Sequence, residues 1–116
     1  VRTVLEWAPS IAPVGSTRTA AGMDAAWHQL EADRPAPIVL IGSAPTALEV
    51  LLKLVAEGAA LPTLVIGMPV GFVGVAESKR HLAESGLTQI RLDGTRGGAG
   101  LAGAALNSLL RAAQKA

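Results

Sequence analysis

Four short segments of this chain set polar or charged side chains beside glycine or proline. Arg18 follows Ser16-Thr17, and Ser43 and Thr46 flank Ala44-Pro45 directly after Gly42. Gly67, Gly71 and Gly74 space out a loop that holds Phe72 and Val73 and runs into Glu77-Ser78-Lys79. Arg96 stands before Gly97-Gly98. This set suits the holding of anions better than the making of bonds. A guanidinium pairs bidentately with a carboxylate, although a solvated arginine is the ordinary alternative for Arg18 and Arg96. Glycines let a ligand approach the backbone, and a helix start offers unpaired N–H groups to negative charge. There is no cysteine, so neither a thiol nucleophile nor a thiolate metal site is available. His28 and His81 are the only histidines. Both fall inside predicted helices beside long polar residues, where a surface histidine is the plain reading, and a transition-metal site is not expected.

Residues 1–7 are apolar and β-branched enough to predict a strand, and residues 8–16, with Pro9, Pro13 and Gly15, predict a loop. A helix is predicted over 19–32, capped by Ser16 or Thr17, with Met23, Ala26, Trp27 and Leu30 recurring at helical spacing. Pro35 and Pro37 end it. The apolar run 38–41 predicts a buried strand. Pro45 suits a first helical position, with Ser43 as candidate cap. Helix 46–57 carries Leu48, Leu51, Leu52 and Val55 on one face, and Gly58 is its stop. Strand 63–66, the Gly-rich loop, helix 77–85, Gly86, strand 88–92, loop 93–98 and helix 99–116 follow. Glu77, Lys79 and Arg80 read as the charged side of their helix. Such alternation predicts one α/β domain, three layers deep, on a mostly parallel sheet. The loops at Gly42, 67–74 and 94–98 then open on one edge, at the carboxyl ends of the strands, where open α/β sheets bind ligands.

The chain has 116 residues, half of them hydrophobic, and a net charge of +1. No basic stripe exists, so a nucleic-acid partner has no electrostatic footprint. No run of about 18 apolar residues lacks Gly, Pro or charge, and a membrane span is not expected. The first residues do not read as a signal peptide, and a cytoplasmic protein is expected. The central loop lacks the dinucleotide spacing and the Lys-Ser/Thr ending of a phosphate-cradling loop, so a nucleotide-binding domain is the least favoured class.

The run from Val65 to Lys79, VIGMPVGFVGVAESK, resembles the signature of the precorrin-8X methylmutases, or precorrin isomerases. Ile41-Gly42-Ser43-Ala44-Pro45-Thr46-Ala47-Leu48, Thr17-Arg18-Thr19-Ala20-Ala21-Gly22-Met23 and, more weakly, Gly94-Thr95-Arg96-Gly97-Gly98 resemble the same family in the same order. The resemblance implies an isomerase of cobalamin biosynthesis. It shifts a methyl group within precorrin-8X to give hydrogenobyrinate, or acts on the cobalt-containing analogue, with no methyl donor and no cofactor. It implies a tetrapyrrole-derived substrate rich in carboxylates and a homodimer with sites near the subunit interface.

On this footing the substrate-binding set is Thr17, Arg18, Ser43, Thr46, Gly71, Phe72, Val73 and Arg96. Ser43 stands where the family usually has Asn, and it loses the amide's second group. Phe72 is the only phenylalanine, suited to stacking on a flat macrocycle or to a subunit contact, with a core plug as the alternative. Ser78 or Lys79 is a candidate donor to a substrate carboxylate, against a solvated Lys79. The family's histidine taken to be catalytic lies in an upstream segment that nothing here matches, so no catalytic residue is assigned. The chain is therefore expected to lack the family's N-terminal segment, to bind corrinoid weakly or not at all by itself, and to turn over poorly. The rival reading is a non-catalytic corrinoid-binding or assembly module derived from the family.

Overall fold

In the computed structural model, which describes residues 3–11, 16–71, 73–92 and 96–115, three short strands carry the fold. They are β1 (Ile38–Ile41), β2 (Leu64–Gly67) and β3 (Gln89–Arg91). They pair in parallel in the order β1-β2-β3, with Ile38 opposite Leu64 and Val65 opposite Gln89. Successive side chains of a strand leave on opposite faces, and both faces of this sheet are apolar. Val39, Ile41 and Val65 face one helical layer, whereas Leu40, Ile66 and Ile90 face the other.

The first layer holds α1 (Arg18–Leu30), α2 (Pro45–Ala56) and α3 (Val75–Glu84), and its core joins Met23, Trp27, Leu48, Leu51 and Leu82 to the sheet. The second layer is α4 (Ala99–Lys115), which lays Ala102, Ala105 and Leu106 against Ile66 and Met68. The three-layer α/β arrangement agrees with the sequence expectation, and each predicted helix and the last three strands form within two residues of their predicted bounds.

The predicted strand over 1–7 does not form. Val4–Trp7 is a one-turn 3-10 helix, and residues 1–2 lie outside the described residues. The cause is a capping box: the Thr3 hydroxyl accepts from the Leu5 N–H, and the Glu6 carboxylate accepts from the Thr3 N–H at 3.0 Å. The Trp7 indole N–H then donates to the Gln29 side chain at 2.8 Å, fastening the turn to α1.

Candidate functional site

α1 and α2 start side by side. Thr17 caps α1, its Oγ1 accepting from the Ala20 N–H at 3.1 Å, and the same oxygen lies 2.9 Å from Thr46 Oγ1 on the first turn of α2. Two predicted site residues are thereby joined directly. Thr17→Val should remove the cap and this link together, costing about 1–2 kcal/mol, a fall in melting temperature of several degrees for a chain of this size. A variant that melts with the parent would contradict that account of the corner. Ser43 does not cap α2: Ala44 occupies the cap position, no side chain bonds there, and Pro45 opens the helix. Proline has no N–H to satisfy, so the cap has less to do. Ser43 is exposed.

The three strand-to-helix loops meet at the carboxyl edge of the sheet. The Met68 N–H donates to the Ile41 carbonyl at 2.8 Å, and the Gly98 N–H to the Met68 carbonyl at 2.7 Å. Gly42 lies so close to Ala99 at the start of α4 that an added Cβ would come within 2.5 Å of its Cα. Gly71 and Val73 lie in the loop after β2, and Val73 is 92% exposed, an unusual setting for valine. Phe72 lies outside the described residues, as do 93–95.

Arg18 and Arg96 are both exposed. The Arg18 Nε donates to the Pro9 carbonyl at 2.8 Å, and among the described residues neither arginine has a carboxylate partner. The edge thus presents two guanidinium groups, the hydroxyls of Thr17, Ser43 and Thr46, and an apolar Val73. This arrangement can hold carboxylates around a largely apolar body.

Two residues sit otherwise than expected. Ser78 is fully buried and its hydroxyl donates to the Val75 carbonyl at 2.8 Å, turned into α3 and away from the edge. Lys79 is only 1% exposed, so it is not on a solvated face, and its Nζ donates to the Arg96 carbonyl. Its surroundings follow from helical spacing: Val75, Ser78, Lys79 and Leu82 form the buried stripe of α3, a phase hidden when the helix is started at 77. The charged face holds Glu77 and Arg80, 3.6 Å apart.

Both histidines are on the surface. His81 Nδ1 lies 2.7 Å from a Glu49 carboxylate oxygen. His28 Nδ1–H donates to the Asp24 carbonyl at 2.7 Å, and that bond, helped by the carboxylates of Asp24 and Glu31, raises its pKa above 6.5. A group whose folded pKa is raised stabilises the fold below its unfolded value and loses that contribution as pH rises through the folded value. An NMR titration of His28 should therefore have its midpoint above 6.5, moving down in Asp24→Ala as the carboxylate is lost.

A cavity of about 680 Å³ follows the outer edge of β1. Met23 and Trp27 wall it from one layer, Leu106 and Leu110 from the other, and it reaches Gly42 and Ser43 at the carboxyl edge. Among the described residues β1 has a strand neighbour on one side only. This groove is not legible in the residues, because an edge strand and a central parallel strand share the same apolar pattern. Among the described residues no helix is long and apolar enough to cross a membrane, and no three His, Cys, Asp or Glu side chains are grouped as metal ligands.

Residues 4–112 match the family model described as precorrin-8X methylmutase. A cobalt-precorrin-8 methylmutase of Synechocystis is 44% identical over 110 residues, covering 95% of this chain and 48% of the relative. A precorrin-8X methylmutase of Sinorhizobium is 47% identical over 102 residues, covering 86% of this chain and 47% of the relative. The crystal structure of a precorrin-8X methylmutase from Thermus thermophilus superposes with a TM-score of 0.74 at 43% identity, covering 84% of this chain and 46% of that one. The chain spans about half the length of these relatives.

Proposed function

This chain belongs to the precorrin-8X methylmutase family, and on that premise we propose that it serves the isomerase step of cobalamin biosynthesis. That step is the intramolecular methyl shift that turns precorrin-8X into hydrogenobyrinate, or cobalt-precorrin-8 into its cobalt-containing product. The observation that carries the reading is the convergence of three loops and the α1 start on one edge, with Arg18, Arg96 and exposed hydroxyls at its rim. Arg18 and Arg96 take peripheral carboxylates, Thr17, Ser43 and Thr46 supply hydrogen bonds, and Gly71, Phe72 and Val73 lie along the macrocycle. A shift within one molecule needs its substrate held in one tautomer and geometry, and binding energy spent at the rim does this.

The acid that protonates the macrocycle comes from the family's further segment. We place that segment along β1. The groove there lies between both helical layers, beside an edge of β1 that has no strand partner among the described residues, the position of a next strand, and the relatives carry about as much chain again outside the matched region. The single domain is then completed by that segment, and the working unit is a cytoplasmic homodimer. Co-expression with the unmatched segment of the Synechocystis relative tests this. Isomerisation of precorrin-8X is expected from the pair and not from the chain alone. Turnover by the chain alone would overturn the division of labour, and product binding without turnover by the pair would favour a binding module.

A further inference from the structure

We propose that Lys79 is a positioning residue: from inside α3 it holds the loop after β3 against the loop after β2, and so sets where Arg96 presents its guanidinium. A lysine at 1% exposure on an amphipathic helix is unusual, since an ammonium gives up hydration that only close polar partners replace. Nζ meets the main-chain carbonyl of Arg96. The Arg96 side chain is exposed, so the bond fixes the backbone beneath an outward-facing cation. Two further contacts act on the same turn. The Gly98 N–H donates to the Met68 carbonyl, and Gly97 packs against the Met68 and Pro69 carbonyls with no room for a side chain. Lys79 therefore ties the loop after β3 to α3, beside two main-chain contacts that tie it to the loop after β2, and of these three fastenings it alone is made by a charged side chain.

The proposal rests on the reading of the carboxyl edge as a carboxylate rim, and its two arms separate from that reading. The first arm is amide exchange on the 116-residue chain and its Lys79→Met variant. Gly98 is expected to exchange at least about tenfold faster in the variant, the loss of a hydrogen bond to a charged donor, while the Ile66 amide in β2 keeps its protection. The second arm is hydrogenobyrinate titration of the parent, Lys79→Met, Arg96→Ala and the double variant, followed by corrin absorbance. Lys79→Met is expected to weaken binding about tenfold in the parent and less than about threefold once Arg96 is gone, because a residue acting through Arg96 has nothing left to place. A residue that merely supports the fold would show the same loss in both backgrounds. Unchanged Gly98 exchange, or equal losses with and without Arg96, overturns the proposal. If the parent binds no hydrogenobyrinate, the rim reading fails, and Gly98 exchange still decides whether Lys79 holds the loop. Should Lys79→Met not fold, Lys79→Gln, which keeps an N–H donor without the charge, is expected to give the same pattern with smaller changes.

Discussion

Gly97→Ala should cost about 3 kcal/mol or more of stability and remove corrinoid binding altogether. Gly97 has a φ of +158°, and a Cβ built there meets the Met68 carbonyl oxygen at 2.2 Å and the Pro69 carbonyl oxygen at 2.7 Å. Both obstacles are backbone, and Met68 and Pro69 are buried, so neither can swing aside as a side-chain tip would. The turn must move instead, and it would carry away the Gly98 to Met68 hydrogen bond and displace Arg96. Gly100→Ala is the control. It lies two residues into α4, an added Cβ meets nothing within 4 Å, and alanine favours a helix over glycine by about 1 kcal/mol. Urea unfolding should therefore move in opposite directions for two glycines three residues apart in the chain. A Gly97→Ala protein as stable as the parent would remove the basis for treating the two loops as one platform.

The second large effect is on affinity. Replacing Arg18 and Arg96 together by alanine should weaken hydrogenobyrinate binding about a hundredfold, roughly tenfold for each charged hydrogen-bonding partner removed. Both side chains are exposed, so stability should change by less than about 1 kcal/mol. The dependence of binding on salt should fall in the double variant, since fewer charges meet the product's carboxylates. Arg18→Lys should restore little, because an ammonium lacks the planar fork that grips both oxygens of a carboxylate. Equal binding by parent and double variant would remove carboxylate recognition from this edge.

Much of this was legible in the residues. Apolar runs at 38–41 and 64–66, with helical repeats between them, lead to a parallel sheet under helices, and loops at successive strand ends of such a sheet share one edge. What was missed has specific causes. Thr3 and Glu6 form a capping box that turns a strand-like run into a 3-10 turn, and the box is recognisable once Thr-x-x-Glu is sought. Lys79 allows both a substrate-facing and a solvated reading because lysine seldom lies in a core, yet its spacing from Val75 and Leu82 places it on the buried stripe. The Thr17–Thr46 bond joins residues 29 apart, and the β1 groove depends on which strand lies at an edge. Both are matters of long-range assembly, which local pattern does not encode. The binding role proposed for the eight site residues rests on kinship and, for the seven that are described, on their placement at the carboxyl edge.

The central claim is that the carboxyl edge, and not the β1 groove, meets the corrin. The direct test is a set of ¹H–¹⁵N spectra of the labelled chain titrated with hydrogenobyrinate. Weak, saturable binding is predicted, with shifts concentrated at the amides of Thr46, Gly71, Val73 and Gly98 and small at Val39 and Leu106. Shifts that follow the groove through Val39, Trp27 and Leu106, or a spectrum unchanged at millimolar product, would contradict the account.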